Sequence, residues 1–307
     1  MSGPVVVLAG GTGGAKLARG MLDVVGADDL TVIANTGDDI EIYGAYVSPD
    51  PDLVTFWLAD RIDERGWGLA GDTFEVMNGL KALGVEVWFN LGDQDLAIGL
   101  ERARRLQSGE RLTKAHAHIA QAMKAPGTIL PTSDTPIRTK VRAQERWWPF
   151  QEYMIRAAGA THAAPTPQDV EFHGARAAQP TPEVQAAIAT AQAIVIGPSN
   201  PIISIGPILA VPGLREALTR ADAPVVATSP LVGDKVVKGP TAAFMAFANL
   251  PVSSDGIATY YDGLIDGLVA DRRTSRVPTL ETDVLMDTPA KRRRVAEETL
   301  GFAMALG

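Results

Sequence analysis

Seven residues near the start of the chain have the composition of an anion-binding turn. An apolar segment, residues 5–9, leads into Gly10, Gly11, Thr12, Gly13, Gly14, Ala15 and Lys16, and a helical pattern follows. Glycine lets a backbone approach its ligand closely, and the N–H groups at a helix start attract phosphate. The spacing fits neither a P-loop nor a dinucleotide fingerprint, whose third glycine is replaced by Lys16. We predict a diphosphate site here; a tight turn without a ligand is the alternative.

Acidic side chains occupy several loops next to predicted strands and helices. Asn35 and Asp38 follow the second predicted strand, Asp50 and Asp52 precede a helix, and Asp93 follows the third predicted strand. Like charges gathered at one edge of a sheet repel, and Mg²⁺ offsets such charges while leaving positions for substrate phosphates. We therefore predict Mg²⁺ bound among Asp38, Asp50, Asp52 and Asp93, with Asn35 as a ligand-binding residue beside them.

Some of these acids have a structural alternative. Asp72 also precedes a predicted helix, and an acid in that position is equally well explained as a helix cap. Asp50 or Asp52 could cap the helix that each precedes in the same way.

Two later loops could complete a ligand site. Ser199 and Asn200 follow the predicted strand Ala193–Ile196, and their side chains suit phosphate oxygens, a ribose or a base edge. Lys235 and Lys238 lie in the loop after the next strand, where they could offset phosphate charge. Turn formation by the prolines and glycines of both loops is the alternative.

Strands alternating with helices must position these loops. Strands are predicted at residues 5–9, 30–34, 85–90, 193–196, 225–229, 264–270 and 284–286, and the first helix is predicted to begin at Lys16. Such alternation predicts an α/β fold with a Rossmann-like parallel sheet, whose ligand loops follow the carboxyl ends of the strands. Residues 1–110 and 181–307 would form this core, and residues 111–180 an inserted smaller α+β subdomain. In the insert we expect a helix with Trp147 and Trp148 near its start.

Composition excludes several classes of protein. The 307 residues include no cysteine, so disulfides and cysteine-bound zinc are excluded. The formal net charge of −8 and the lack of a long basic stripe argue against nucleic acid as a partner. The dense basic run at residues 291–294 is expected to be a solvated helix face. No apolar window is long enough for a membrane span, and we expect a cytoplasmic enzyme.

The ordered set of motifs resembles one known family. Besides the glycine turn, the chain carries NTGDDIEIYG, SPDPD, GWGLAGDTF, NLGDQDLA, ILPTSDTP, IGPSNPIISIGPIL and SPLVGDKVVKGPT in that order. Together they resemble the CofD/FbiA family of 2-phospho-L-lactate transferases, which act in the biosynthesis of the deazaflavin coenzyme F-420. The resemblance extends over nearly the whole chain.

The resemblance implies an activity. The donor would be a GDP-activated three-carbon phospho-acid: phospholactate, phosphoenolpyruvate or 3-phosphoglycerate. Its phospho-acid would move to the ribityl hydroxyl of the deazaflavin Fo, and GMP would leave. Our own expectation is a direct displacement with no covalent enzyme intermediate. Mg²⁺ dependence and a homodimer are also implied, with Asp50 or Asp52 contacting Fo.

The resemblance also implies that Gln94 contacts Fo, and here the chain departs from the family. Members of the family usually carry arginine at this position, and glutamine can hydrogen-bond but cannot neutralise an anion. Either Arg102, Arg104 or Arg105 on the next helix covers the lost charge, or Fo binds more weakly through neutral contacts. We expect the second, because these arginines are expected to be solvated.

Two other functions would account for part of this set of motifs. A nucleotide-sugar-binding regulatory protein related to gluconeogenesis factors would explain the glycine turn but not the acidic loops. An NAD-linked oxidoreductase would use Asp38 or Asp39 for a ribose, but Lys16 in place of the third glycine counts against it.

Overall fold

The computed structural model describes residues 3–157, 164–233, 235–237 and 239–307. Its strands are β1 (Val5–Ala9), β2 (Leu30–Ala34), β3 (Ile40–Ile42), β4 (Ala45–Val47), β5 (Thr128–Pro131), β6 (Arg138–Ala143), β7 (Arg146–Pro149), β8 (Asp169–His173), β9 (Ala193–Ile196), β10 (Val225–Thr228), β11 (Leu231–Val232), β12 (Lys235–Val236), β13 (Gly267–Ala270) and β14 (Thr279–Glu281). Its α-helices are α1 (Gly11–Val25), α2 (Pro49–Leu58), α3 (Glu75–Ala82), α4 (Asp93–Gln107), α5 (Leu112–Ala122), α6 (Phe150–Glu152), α7 (Pro182–Thr190), α8 (Gly206–Leu209), α9 (Leu214–Thr219), α10 (Thr241–Phe247), α11 (Ser254–Tyr260) and α12 (Pro289–Leu306).

Seven strands form one parallel sheet in the order β14-β13-β10-β9-β1-β2-β5. β1 lies between β2 and β9, and all five of its residues are fully buried. Its run of β-branched valines favours a strand covered on both faces. Because the chain leaves β1 toward β2 and later returns on the other side through β9, a crevice opens at the carboxyl end of β1. The predicted α/β class is confirmed.

Side chains of the central strand alternate between two cores. Val6 and Leu8 join one apolar cluster, whereas Val5 and Val7 join the other, which includes α1 and α12. These two helices approach so closely that a Cβ on Gly20 would overlap the Arg292 carbonyl. The contact fixes the helix that follows the glycine turn against the C-terminal helix.

An insert packs beside this sheet. β7, β6 and β8 form an antiparallel sheet of three strands, and Val141 and Tyr153 share a core cluster with Ile194 of the main sheet. The predicted boundary at residue 111 was too early, because α5 and β5 follow it and β5 pairs with β2 in the main sheet. The insert proper therefore begins after Pro131.

Two predicted strands of the main sheet were wrong. Residues 85–90 form no strand, and Val87 and Phe89 pack on a small cluster with Val47 and Met77. β5, rather than residues 85–90, pairs with β2 in the main sheet. Residues 284–286 are likewise not a strand, and β14 forms that edge instead.

Two predicted helix starts were also wrong. α1 begins at Gly11 rather than Lys16, so the glycines themselves form its first turn. Trp147 and Trp148 lie on β7, where they pair with Arg142 and Val141, and the helix begins only at Phe150. Within the described ranges, no helix combines the length and apolar character that a membrane span requires.

Candidate active site

A cleft of about 890 Å³ lies at the carboxyl ends of β1, β2, β9 and β10. It brings together Gly10, Gly11, Thr12, Gly13 and Lys16 of the turn, Asp38, Asp50 and Asp52 of the acidic loops, and Ser199 and Asn200 of the later loop. Segments far apart in sequence thus meet at the place where the strand order favours a ligand. Its volume falls at the upper end of the range for small-molecule sites.

The glycine turn holds the start of α1 at one wall of the cleft. Gly11 has a positive φ of 64°, a backbone region that favours glycine. A Cβ on Gly13 would overlap the Pro198 carbonyl, and a Cβ on Gly14 would come within 2.9 Å of Ala9. Helix geometry leaves the N–H groups of Thr12 and Gly13 without an acceptor inside the helix. These N–H groups and Lys16 form a surface suited to an anion.

Asp50 faces this helix start. Its Oδ1 accepts a hydrogen bond from the Gly11 N–H at 2.7 Å, and its Oδ2 accepts one from Asn35 Nδ2 at 2.9 Å. Asn35 is itself fixed, because its Oδ1 accepts from the Gly37 N–H. Burial raises the pKa of Asp50 to about 6, although the bonds from Gly11 and Asn35 oppose the rise.

Asp38 is the second buried acid of the cleft. Its Oδ1 is enclosed and has no hydrogen-bond partner among the described residues. Burial, followed by the nearby charge of Asp50, raises its pKa well above the ordinary value. An acid oxygen left without a partner in such a place is suited to a cation.

Asp39, next in the chain, is turned away from the cleft. Its carboxylate accepts hydrogen bonds from Ser48 Oγ at 2.7 Å and from the Tyr46 hydroxyl at 2.9 Å. Burial raises the pKa of Asp39 to about 7, and the charge of Arg138 opposes the rise. These bonds attach the loop after β2 to the hairpin β3–β4 that leads into Asp50.

Asp52 is paired with Arg102, whose side chain is fully buried. Arg102 Nη1 donates to Asp52 Oδ2 at 3.0 Å, and Nη2 donates to Oδ1. The prediction that Arg102 is solvated was therefore wrong: the charge pattern of α4 does not show that its face at Arg102 packs inward. Arg104 and Arg105 instead pair with Glu101 near the surface.

The structure places Asp93 outside the cleft lining, in a capping role. Its carboxylate accepts from the N–H groups of Glu75 and Val76, both at 3.0 Å, at the start of α3. Asp72 does the same for α4, accepting from the N–H groups of Gln94 and Asp95. Asp72 is a helix cap as predicted, but of α4 rather than of α3, the helix that it precedes in the chain. The geometry does not support Asp93 as a metal ligand.

Gln94 and Lys235 are not brought into the cleft lining either. Gln94 is exposed, and its Oε1 accepts from Arg61 Nη2 at 2.9 Å. Lys235 is exposed on the small hairpin β11–β12, and Lys238 lies outside the described residues. Their predicted ligand roles remain predictions that these positions do not support.

The sequence interpretation missed an aromatic wall. Trp67, Trp88, Phe89 and Phe150 line the cleft, and Trp88 and Phe89 are stacked with their centroids 5.6 Å apart. Their signal was the adjacent Trp88–Phe89 pair in a segment interpreted as a buried strand. These aromatic side chains are called the aromatic half of the cleft, and the glycine turn with the acids is called its charged half.

The basic run at residues 291–294 is not entirely the solvated helix face that was predicted. Arg292 lies over Trp57 at 5.0 Å, and Lys16 Nζ lies 5.8 Å from the same ring centroid. Trp57 therefore connects the C-terminal helix with the cation of the glycine turn through cation–π contacts.

The described residues contain no group of three or more acidic, histidine or cysteine side chains placed to hold a metal ion. Asp38 and Asp50 are nevertheless the kind of hard oxygen donors that Mg²⁺ prefers. Magnesium commonly takes one or two carboxylates and completes its shell with water and substrate phosphates. The donor set therefore fits a magnesium ion that binds together with a phosphorylated ligand.

Comparison with known proteins gives close sequence matches. The model of the family "2-phospho-L-lactate transferase CofD" matches residues 5–298. A phosphoenolpyruvate transferase of Kitasatospora aureofaciens is 42% identical, over 87% of this chain and 84% of that protein. A 2-phospho-L-lactate transferase of Methanospirillum hungatei is 38% identical, over 96% of this chain and 99% of that protein.

A solved structure matches the fold. A Bacillus halodurans protein of the UPF0052 family superposes with a TM-score of 0.61 at 18% identity, over 97% of this chain and 100% of that one. At this identity the likeness bears on the fold alone, and it agrees with the α/β architecture.

Proposed function

We propose in detail what this transferase of F-420 biosynthesis transfers. The chain belongs to the 2-phospho-L-lactate transferase CofD family. The donor is a GDP-activated three-carbon phospho-acid, the acceptor is the ribityl hydroxyl of Fo, and GMP is released. The observation that carries this proposal is one cleft whose lining includes the start of α1, the buried acids Asp38 and Asp50, and the aromatic wall.

The charged half of the cleft supports a diphosphate donor. The N–H groups of Thr12 and Gly13 point from the start of α1, and Lys16 adds a positive charge one turn further along. Ser199 Oγ accepts from the Gly10 N–H at 3.2 Å, which ties the turn to the loop after β9. Both loops would hold the diphosphate.

The aromatic half supports a flat acceptor. Trp88, Phe89 and Phe150 offer ring faces and edges to a fused heteroaromatic system such as a deazaflavin. Asp38 and Asp50 line the same cleft as this wall and the glycine turn. An acceptor bound against the wall would extend its ribityl chain toward the donor.

Asp38 and Asp50 would hold Mg²⁺. The ion would supply positive charge that offsets the diphosphate and the departing GMP. The Oδ1 of Asp38, which has no hydrogen-bond partner among the described residues, supports this assignment. Asp93 is not included, because its carboxylate is engaged in capping α3.

The chemical step is a direct displacement at phosphorus. The ribityl oxygen forms a bond to the phosphorus that carries the three-carbon acid, and the bond from that phosphorus to the bridging oxygen of GMP breaks. The hydroxyl proton passes to one of the two acids of the SPDPD motif, Asp50 or Asp52, which orients the hydroxyl, or to the departing phosphate. Holding both substrates in one cleft supplies much of the acceleration.

The relatives carry two names, for phosphoenolpyruvate and for 2-phospho-L-lactate transferases. We propose that one of these acids or 3-phosphoglycerate is the group transferred. A homodimer in the cytoplasm, implied by the family resemblance, completes the proposal. Light scattering of the purified protein tests the dimer.

Calorimetric titration separates the proposal from its rivals. We expect GDP to bind in the presence of Mg²⁺, and UDP-sugars and NAD to bind far more weakly. Tight binding of a UDP-sugar would favour a nucleotide-sugar-binding protein, and tight binding of NAD would favour an oxidoreductase. Either result without GDP binding would contradict the proposed donor.

A further inference from the structure

Arg102 is an unusual residue behind the wall of this cleft, because its charged side chain is completely buried. Its guanidinium makes a two-pronged contact with Asp52, and Nη1 also donates to the Tyr46 carbonyl at 2.9 Å. Its Nε has no partner among the described residues. Removing both charges from water carries a large desolvation penalty that such contacts only partly offset.

The guanidinium joins three elements behind the cleft. Arg102 belongs to α4, Tyr46 to β4, and Asp52 to the first turn of α2. α4 lies so close to β4 that a Cβ on Gly99 would come within 3.0 Å of Ala45 and 3.3 Å of the Tyr46 carbonyl. Arg102 is thus held rigidly at a fixed distance from the strand that leads into the acidic loop.

Asp52 belongs both to this buried pair and to the cleft lining. Asp52 is 3% exposed, yet it lines the cleft together with Asp50 and Asp95. Both of its oxygens already accept hydrogen bonds from Arg102, so the direction of its remaining lone pairs is fixed. Asp50 accepts from Gly11 and Asn35 instead, and neither of these donors carries a charge. The two acids of one motif therefore have different surroundings.

Stability alone does not account for this pair. A buried ion pair commonly contributes no more than well-packed apolar residues would. A two-pronged contact between guanidinium and carboxylate does, however, fix the orientation of the carboxylate. The position of Asp52 in the cleft wall makes that orientation useful.

We propose that Arg102 is a positioning residue for the transfer reaction: it fixes the Asp52 carboxylate as an acceptor for a substrate hydroxyl and keeps it from ligating the metal. The inference rests on the proposed function for its hydroxyl-bearing substrate. The two acids of the SPDPD motif then have different roles. Asp50 lies near the metal and the helix start, and Asp52 orients the acceptor.

The test compares Asp52→Asn, Arg102→Lys, Arg102→Met and Asp50→Asn. Metal binding is followed by electron paramagnetic resonance of Mn²⁺ in the presence of GDP, and turnover by steady-state kinetics with Fo. We expect Asp52→Asn to keep the Mn²⁺ affinity of the unchanged protein, whereas Asp50→Asn weakens it. Arg102→Met should displace the Asp52 carboxylate and so lower kcat by about a hundredfold. The kcat of Arg102→Lys should lie between that of Arg102→Met and that of the unchanged protein.

The matched control is Arg19→Met, which breaks the partly exposed ion pair of Arg19 with Asp60 away from the cleft. It should change neither kcat nor Mn²⁺ binding. If Arg102→Met does not fold, Arg102→Lys and Asp52→Asn carry the test.

Two results would overturn the proposal. One is a folded Arg102 variant with unchanged kcat and KM, and the other is loss of Mn²⁺ binding by Asp52→Asn equal to that of Asp50→Asn. If the unchanged protein makes no product from Fo, the proposed function fails instead, and the Mn²⁺ measurement still decides whether Asp52 is a metal ligand.

Discussion

The backbone N–H of Gly11 donates a hydrogen bond of 2.7 Å to Oδ1 of Asp50. A carboxylate of the protein therefore occupies part of the helix start that would attract a phosphate. When a diphosphate donor binds, its negative charge meets that of Asp50 in the same space. A cation between the two would relieve their repulsion, which links the anion site to the proposed metal site.

Lys16 tests the charged half of the cleft. Lys16→Ala should weaken GDP binding by about 1.5–3 kcal/mol, since it removes a charge-assisted contact to phosphate. Calorimetry measures the change. Lys81→Ala is the control, because Lys81 is exposed in the last turn of α3 and should not alter GDP affinity. Equal GDP affinities of the two variants would show that Lys16 does not contact the diphosphate.

Gly13 tests the close approach of the glycine turn to the loop after β9. Gly13→Ala should both destabilise the protein and abolish GDP binding, because the added Cβ would overlap the Pro198 carbonyl. Thermal unfolding and calorimetry report the two effects. Gly79→Ala is the matched control, since no atom lies within 4 Å of its added Cβ in α3. It should stabilise the helix by roughly 0.5–1 kcal/mol; a Gly13→Ala variant that behaves the same way would refute the packing argument.

Burial of the acids predicts an unusual dependence of stability on pH. The pKa values of Asp50 and Asp39 in the folded protein, about 6 and about 7, lie above the ordinary value of 3.8. A raised pKa means that the folded state holds these protons more tightly, so the stabilisation is fully present below the unfolded pKa and is lost as pH rises through the folded values. In EDTA, Tm should therefore rise as pH falls from about 8 to about 5.5.

Asn variants of these two acids identify the source of the effect. Asp50→Asn and Asp39→Asn should each flatten the profile of Tm against pH over this window, because the substituted side chain no longer titrates. Differential scanning fluorimetry without added metal gives the profiles. Superimposable profiles of the double variant and the unchanged protein would assign the pH dependence to other groups.

The aromatic wall predicts the residue that contacts Fo. Trp88→Ala should weaken Fo binding by roughly 1 kcal/mol or more, since an aromatic stacking partner is lost. Trp147→Ala is the control, because Trp147 is exposed on β7 and outside the cleft lining. Fluorescence titration of Fo measures both variants.

Gln94→Ala should leave Fo affinity unchanged, because Arg61 holds Gln94 at the surface; a large loss in this variant would restore Gln94 as an acceptor contact.

The sequence predicted the parts of the fold that local patterns determine. Valine runs predicted the buried strands around β1, and glycines followed by a helical pattern predicted the anion turn. The strand predicted at residues 85–90 was wrong, because an apolar segment has the same sequence pattern whether it joins a sheet or packs on a small cluster. Only the structure shows which of the two occurs, since sheet pairing is a long-range property.

The candidate site was predictable to a similar degree. Asp38 and Asp50 follow from their place after strands and before helices, and the structure brings both to the cleft. Asp93 has the same kind of sequence position, yet it caps α3, because capping and ligand binding make the same demand for an acid near a helix start. The burial of Arg102 depends on the packing of α4 against β4, which no local pattern specifies.

Mass spectrometry of the reaction product tests directly whether this protein transfers a three-carbon phospho-acid to Fo. The purified protein is incubated with Fo, GTP, Mg²⁺, a guanylyltransferase and, in separate reactions, 2-phospho-L-lactate, phosphoenolpyruvate or 3-phosphoglycerate. The account predicts that at least one acid gives an Fo adduct joined through a phosphodiester, with one GMP released for each adduct, and that omission of this protein abolishes both. An unaltered Fo mass with all three acids, from protein that binds both GDP and Fo, would contradict it.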